Sequence, residues 1–197
     1  MVSFEEASSC GADYFELDVH LSADDIPIVY HDPDLSGRLC TDLKGVKMAG
    51  SLPLRSLKLQ EIRNYHIAGA PIPTLEEVFQ WMTHNEIGLN LEIKIEGKEP
   101  KWIPDPSFFG ETVLDLARNY NCLTRTLFQS FDPRPLIEIR KRDPEALISH
   151  LFEAKKDFVK ETLAIGGNLI GPHHSLLSSE VISACQMSRA PRRQVTW

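Results

Sequence analysis

The sequence lacks three features that would each point to another class of protein. Its 197 residues contain no apolar run of the roughly 20 residues that a membrane-spanning helix needs. They contain no cluster of Lys and Arg, and the net charge of -7 argues against a nucleic-acid partner, because binding a phosphate backbone needs concentrated positive charge. The N-terminus is acidic and has no apolar signal core. We therefore expect a cytoplasmic protein with no transmembrane segment.

The cysteines also lack a recognisable pattern. Cys10, Cys40, Cys122 and Cys185 are far apart, without the paired spacings that are typical of zinc sites or redox motifs. Buried, reduced thiols are therefore expected in preference to a disulfide framework.

The chain does contain the residues for one substantial core and a regular order of elements. Hydrophobic residues make up 42% of the composition, which at this length predicts a single domain. Short apolar runs alternate with amphipathic stretches, which is the pattern of βα units around a parallel sheet. The predicted strands cover residues 14–21, 26–31, 87–95, 125–130, 146–152 and 168–170, and another begins at 194–197. The predicted helices cover residues 75–83, 107–120, 133–142, 156–164 and 179–187.

Residues 35–72 interrupt this order. They contain four glycines and two prolines, and only residues 57–65 have the apolar spacing of a helix. We interpret the segment as an insertion above the sheet. The helix that follows it is the best marked in the chain, because Thr74 and Glu77 form a capping box at its start.

Two predicted strands carry acidic residues on one face. Glu16 and Asp18 alternate with apolar residues, so both carboxylates project from the same side of the first strand. Glu92 lies in the same kind of pattern in the third predicted strand. Three converging carboxylates repel one another unless a cation lies between them, and oxygen ligands alone favour Mg²⁺ or Ca²⁺ over zinc. The sequence therefore predicts a divalent cation site formed by these three residues.

His31, Lys94 and Phe131 are the candidates for handling a substrate near that site. His31 closes the second predicted strand, where it suits proton transfer at neutral pH, although a lone histidine is more often structural. Lys94 would meet a phosphate oxygen opposite the cation, and the alternative is an ion pair with Glu92 or Glu16. Ligands of parallel βα folds bind beyond the C-terminal strand ends, where Phe131 would flank the mouth of the pocket.

A series of short motifs follows one another along the chain. They are Gly11-Ala-Asp with Glu16-Leu-Asp18-Val, then His31-Asp32-Pro33, Pro73-Thr-Leu-Glu-Glu, Leu91-Glu92-Ile-Lys94, Gln129-Ser-Phe-Asp132 and Gly171-Pro-His-His-Ser-Leu-Leu177. In this order they resemble the glycerophosphodiester phosphodiesterase family. Barrel phosphodiesterases that act on phosphoinositides or sphingolipids resemble the chain less closely.

The resemblance implies a fold, a reaction and a set of roles. The fold is an α/β barrel of the TIM type, (β/α)8, and the reaction hydrolyses a small-molecule glycerophosphodiester to glycerol phosphate and an alcohol with a divalent cation. By the resemblance, Glu16, Asp18 and Glu92 bind the metal and Lys94 lies near the phosphate. His31 is one of two catalytic histidines, and it would protonate the departing alcohol.

The resemblance also implies that parts of the barrel are absent from this sequence. Family members begin with a strand that ends in His-Arg-Gly, which supplies the other catalytic histidine and a phosphate-binding arginine, and the sequence has no such motif. A TIM barrel takes about 250 residues and eight strands. We therefore expect residues 1–197 to form one domain that lacks the first strand and most of the last.

Two hypotheses follow from these missing parts. In the first, the chain is a hydrolase by family, weakly active or inactive in this form. In the second, it is a non-catalytic metal- or phosphodiester-binding fragment that a partner chain completes. Open strand edges favour pairing with another chain, so a homo-oligomer is a further expectation.

Overall fold

The fold is built from eleven strands and seven helices in the described part of the chain, residues 2–97 and 99–187 of a computed structural model. The strands are β1 (Tyr14–Leu21), β2 (Pro27–Val29), β3 (Asp34–Ser36), β4 (Cys40–Asp42), β5 (Ser51–Pro53), β6 (Tyr65–Ile67), β7 (Ala70–Pro71), β8 (Gly88–Ile93), β9 (Thr126–Ser130), β10 (Leu147–Phe152) and β11 (Leu169–Pro172). The helices are α1 (Val2–Ser9), α2 (Leu59–Ile62), α3 (Leu75–Met82), α4 (Pro106–Asn119), α5 (Pro133–Arg142), α6 (Phe158–Ala164) and α7 (Ser179–Met187). The strand predicted at 194–197 lies outside the described residues.

The main sheet has six strands in the order β11-β10-β9-β8-β1-β2. The five strands from β11 to β1 run parallel, and helices α3 to α6 connect four of these strands to the next one along the chain. Parallel strands joined in sequence by helices are the repeating unit of a (β/α) barrel. The predicted fold class is confirmed as a partial barrel of this kind.

One strand runs in a direction that the sequence did not reveal. The sequence pattern predicts the strand at 26–31 as one of the parallel strands, but β2 pairs with β1 antiparallel, with Val19 opposite Val29. That part of the prediction was wrong. Only residues 22–26 connect β1 to β2, whereas a parallel crossover needs a dozen residues or more.

The helices begin where short polar side chains cap them. The oxygen of Thr74 accepts from the backbone of Glu77 at the start of α3, and the Glu77 side chain accepts in return from the backbone of Thr74 at 2.8 Å. Asp105 accepts from the backbone of Phe108 at 2.8 Å, and Asp132 from that of Arg134 at 2.9 Å. These bonds satisfy amide groups that a helix leaves without a partner at its N-terminus. The predicted capping box is therefore confirmed.

The outer face of the sheet forms the main core. Side chains of β1 and β8 that point away from the acidic residues pack against α3, α4 and α5, and nearly all are fully buried. These are Phe15, Leu17, Val19, Leu89, Leu91 and Ile93, with Phe79, Phe109 and Leu136 of the helices. Phe4 of α1 stacks on Phe15 at 5.1 Å between ring centroids, which covers the start of β1. This alternation leaves the other face of β1 and β8 free to carry charge.

Residues 34–72 have a separate small core. Short strands β3 to β7 and the helix α2 enclose a second cluster of buried residues, which are Ile28, Tyr30, Leu35, Cys40, Leu54, Ile62 and Ile72. The helix predicted at 57–65 is shorter than expected, because Tyr65–Ile67 forms β6. Ala68 and Gly69 have φ angles of 50° and 80°, and two residues of positive φ make the tight turn of a β-hairpin between β6 and β7.

The cysteines are reduced and form no disulfide among the described residues, as predicted, but not all of them are buried. Cys40 and Cys122 are buried, whereas Cys10 is exposed at the end of α1 and Cys185 is partly exposed. None of the described helices is both long enough and apolar enough to cross a membrane.

Replacing Thr74 by Ala is expected to destabilise the fold by about 1 kcal/mol, because the backbone amide of Glu77 loses its capping oxygen at the start of α3. The midpoint of urea unfolding would measure the change. Thr74→Ser keeps the hydroxyl and is the matched control, with a much smaller effect expected. Equal destabilisation by Ala and Ser would show that the methyl group, and not the cap, supports α3.

Candidate active site

The register of three parallel strands creates a polar row on the inner face of the sheet. Asp18 of β1 stands opposite Glu92 of β8, and Glu92 stands opposite Gln129 of β9. Glu16 lies two residues before Asp18 and therefore on the same face, opposite Asn90. Adjacent strands in this register bring side chains that are distant in sequence into one cluster.

The three predicted carboxylates meet at one point. Glu16, Asp18 and Glu92 each offer an oxygen, and these oxygens lie within 4.8 Å of one another. Glu92 is buried, Asp18 is half-buried and Glu16 is exposed, so the cluster opens to solvent on the Glu16 side. The donor set contains oxygen only, which is the kind that a hard divalent cation prefers. The cluster has the composition and spacing to hold such an ion.

Bringing these acids together changes how readily they ionise. Glu16 is exposed as a residue, but partial desolvation of its carboxylate raises its pKa, and the negative charges of Asp18 and Glu92 raise it further. Burial also raises the pKa of Glu92, against the opposing hydrogen bond and charge of Lys94. Without a cation, the cluster therefore resists carrying its full negative charge.

Lys94 follows β8 and supplies the nearest positive charge. Its Nζ lies 3.0 Å from Glu92 Oε1 and 3.5 Å from Asp18 Oδ1, and Glu96 Oε1 lies at 3.6 Å. Burial opposes the charge of Lys94, but the hydrogen bond to Glu92 and the surrounding carboxylates outweigh it, and the pKa of Lys94 is raised. The predicted alternative of an ion pair with Glu92 is therefore present in this structure.

His31 reaches the site by a different route from the predicted one. Because β2 runs antiparallel, the chain after Val29 returns along β1, and the backbone of Tyr30 donates to the Asp18 carbonyl at 3.0 Å. The placement of His31 at the C-terminal end of a parallel strand was wrong. The turn back along β1 brings it towards the acidic row.

The ring of His31 is held by a neighbouring carboxylate. Its Nδ1 lies 2.8 Å from Asp32 Oδ1, and the other Asp32 oxygen accepts from Arg38. The hydrogen bond to Asp32 raises the pKa of His31, while the pKa of Asp32 is lowered by His31 and Arg38. The His31 side chain is 71% exposed. It is therefore an accessible imidazole that favours its protonated form.

Phe131 is the site candidate with the weakest connection to the cluster. It follows the last residue of β9, at the same end of the sheet as Lys94, and is 44% exposed. Among the described contacts, none joins its ring to the acidic residues. Its place at the mouth of a pocket stays a prediction.

Two buried polar residues were not predicted to belong to this site. Gln129 is 7% exposed, and its Nε2 donates to Glu16 Oε1 at 3.4 Å. His20 is 4% exposed, and its Nε2 donates to the His31 carbonyl oxygen at 3.1 Å. His20 is two residues after Asp18, as Asp18 is two residues after Glu16. This spacing was the sequence signal that could have placed His20 on the same face of β1. For Gln129 the signal lay in the register of β9, which the sequence does not give.

Comparison with known proteins places the chain among phosphodiesterases. The sequence pattern of the glycerophosphoryl diester phosphodiesterase family matches residues 1–186. A glycerophosphodiester phosphodiesterase of Caldanaerobacter subterraneus is 26% identical, over 93% of this chain and 67% of the relative. A glycerophosphocholine phosphodiesterase of Mus musculus is 25% identical, over 83% of this chain but only 29% of the relative. The chain therefore spans less than a third of that longer protein.

A solved structure shares the fold. A phosphodiesterase of Oleispira antarctica, in complex with its product sn-glycerol-3-phosphate, superposes with a TM-score of 0.77 at 20% identity, covering 95% of this chain and 74% of that one. At this identity the likeness concerns the fold alone. The family pattern, in contrast, extends over nearly every residue from β1 to α7. The chain belongs to the glycerophosphoryl diester phosphodiesterase family.

Proposed function

We propose that this site serves the metal-dependent hydrolysis of a glycerophosphodiester to glycerol phosphate and an alcohol. The observation that carries the proposal is the meeting of three carboxylate oxygens within 4.8 Å, beside a lysine and an accessible histidine. The family membership and the product bound in the Oleispira antarctica enzyme support the same substrate class. The free thiols fit the reducing cytoplasm as its compartment.

Glu16, Asp18 and Glu92 would hold the cation, which we propose to be Mg²⁺ or Ca²⁺. Desolvation raises the pKa of Glu16 most, and the charges of Asp18 and Glu92 raise it by more than Lys94 lowers it, which supports a place for a further positive charge beside Glu16. A divalent ion when bound polarises phosphoryl oxygens and supplies charge to the developing transition state. The remaining groups would bind and orient the diester.

Lys94 and Phe131 would orient the substrate. Lys94 is held between Asp18 and Glu92, so its ammonium group already points into the acidic row. Once the carboxylates have another counter-charge, the ammonium group is available to bind a non-bridging phosphate oxygen. Phe131, exposed after β9, would cover an apolar part of the alcohol group at the pocket mouth.

His31 would act as the general acid. Asp32 occupies Nδ1 of the ring, which leaves Nε2 as the nitrogen that can reach a substrate. When water attacks the phosphorus atom, it releases a proton to the solvent, and as the bond to the alcohol oxygen breaks, the proton on Nε2 passes to that oxygen. The ring then regains a proton from the solvent. The raised pKa of His31 favours the protonated ring that a general acid needs.

A second candidate function is binding without turnover. It is favoured by the open sheet, in which the outer edge of β11 pairs with no other strand among the described residues. In this version the acidic cluster binds the ion and the phosphodiester, and another chain or a second copy pairs with an edge to complete the barrel.

Activity of the purified chain separates these two functions. We expect release of glycerol phosphate from glycerophosphocholine that depends on Mg²⁺ or Ca²⁺ and that falls by a factor of about 100 or more in His31→Ala, the scale of general acid catalysis. Asp18→Ala should abolish both metal binding and turnover. Calorimetric titration of each ion and a coupled assay of the product would measure the two effects.

Three results are decisive for that experiment. Equal rates for the wild type and Asp18→Ala would remove the acidic cluster from the mechanism. Metal binding without turnover at high protein concentration would favour the second function, and sedimentation would then show whether the chain self-associates. No binding of either ion would contradict both functions.

Replacing Glu16 by Gln is expected to stabilise the metal-free protein while weakening metal binding. The pKa of Glu16 is raised above its ordinary 4.5, so the stability linked to its neutral form is complete below that pH and is lost as the pH rises through the raised value. At pH 7 the neutral amide of Gln avoids this loss of stability. The midpoint of thermal unfolding, measured with a chelator present, should therefore rise. Metal affinity should fall by at least about tenfold, since even groups that only support a ligand have effects of that size.

The exposed acid Glu86, next to the start of β8, provides the control for this change. Glu86→Gln removes the same charge outside the cluster, so it should alter neither the metal affinity nor the chelator-dependent midpoint. If metal-free Glu16→Gln is less stable than the wild type at pH 7, repulsion among the carboxylates does not destabilise the protein.

Replacing Asp32 by Asn is expected to move the alkaline limit of activity to lower pH. The hydrogen bond to Asp32 raises the pKa of His31, so its loss lets the ring deprotonate at a lower pH, and a general acid stops working once deprotonated. The pH dependence of kcat and an NMR titration of the His31 ring would both report the shift. Asp115→Asn, on the surface of α4, controls for the lost charge. An unchanged His31 titration would contradict the assigned pairing.

A further inference from the structure

The accessible ring of His31 is positioned by its backbone rather than by packing. The side chain is 71% exposed and follows β2, which is only three residues long. Asp32 holds the ring, but Asp32 belongs to the same loop and moves with it. The position of the ring therefore depends on what attaches the loop to the sheet.

Two hydrogen bonds attach this loop to β1. The backbone of Tyr30 donates to the Asp18 carbonyl oxygen at 3.0 Å. One step further, Nε2 of His20 lies 3.1 Å from the carbonyl oxygen of His31. A carbonyl oxygen can only accept, so the proton of this bond is on Nε2 of His20. The side chain of His20 thus holds the peptide group of His31 itself.

Burial excludes His20 from direct work on a substrate. It is 4% exposed, beneath the His31 backbone, and the carboxylate of Glu96 lies 3.9 Å from its Nε2, beyond hydrogen-bonding distance. Its position is also set by the sheet, because His20 pairs with Ile28 in the β1–β2 ladder. A buried donor on a rigid strand is suited to fixing a neighbouring loop.

We propose that His20 is a positioning residue for His31, acting through the hydrogen bond from Nε2 to the His31 carbonyl oxygen. The proposal rests on the proposed function for its catalytic meaning, because it assumes that His31 supplies the proton. Its structural part, the attachment of the loop to β1, stands independently. His20 would therefore affect the chemical step and leave metal binding unchanged.

Two substitutions separate the hydrogen bond from the bulk of the side chain. His20→Leu fills the space without a donor, and we expect kcat to fall by about tenfold, the effect of losing a hydrogen bond at a buried acceptor. The KM and the affinity for Mg²⁺ and Ca²⁺ should change by less than about twofold, a split that follows from the unchanged acidic cluster. His20→Gln places an amide nitrogen as many bonds from the backbone as Nε2, so it should restore most of the lost kcat.

Ser22→Ala is the matched control in the same hairpin. Its hydroxyl accepts from the backbone of Ile26 at 2.9 Å, so its loss weakens the β1–β2 connection without touching His31. We expect kcat per folded molecule to stay at the wild-type level. If Ser22→Ala lowers kcat as much as His20→Leu does, general loosening of the hairpin explains the effect and the proposal fails.

Hydrogen exchange tests the attachment without requiring turnover. The amide of Tyr30 should exchange about tenfold faster in His20→Leu than in the wild type and return towards the wild-type rate in His20→Gln, while the amide of Leu91 in β8 stays protected. Unchanged Tyr30 exchange in a folded His20→Leu protein would overturn the proposal. If His31→Ala keeps full activity, the proposed role of His31 fails, and the exchange rates still decide whether His20 holds the loop.

Discussion

The mutual repulsion of three carboxylates is the constraint around which the rest of the site is organised. The pairing of β1 with β8 fixes it, because the register that sets Asp18 beside Glu92 is the same register that buries Leu17 and Leu91 on the opposite face. Shifting the strand by one residue would bury acids against α3 and α4 and expose the core. The fold therefore cannot relieve the repulsion by moving the strand, and hydrophobic burial holds the charges together.

The neighbours of the cluster offset this repulsion only in part. Lys94 contributes one positive charge to three acids, and Gln129 contributes a neutral donor to Glu16. Burial still raises the pKa of both Glu16 and Glu92. A site that stays short of positive charge in the absence of a ligand gains stability when a cation binds, since binding to the folded state alone stabilises that state. The repulsion within the empty cluster is therefore what a bound cation would relieve.

Sequence reasoning succeeded where one element alone determines the outcome. The alternation in β1 and β8 fixed which face carries Glu16, Asp18 and Glu92, and the capping box fixed the start of α3. It failed where the path of the chain depends on tight turns between neighbours. Asp25, with a φ of 61°, and Ala68, with a φ of 50°, adopt a backbone conformation that residues other than glycine seldom take. The residue types at these turns therefore did not predict either hairpin.

The antiparallel direction of β2 determines where His31 lies relative to the acidic residues. A parallel strand in its place would need a crossover of a dozen residues or more before the chain returned to the sheet. The short hairpin instead returns the chain along β1, where the backbone of Tyr30 and the side chain of His20 attach it. The acidic residues and the histidine therefore depend on β1 for different reasons: the acids point from its inner face, and the histidine is tied to its hydrogen-bonding edge. A change that destabilises β1 would therefore also disturb the geometry of the site.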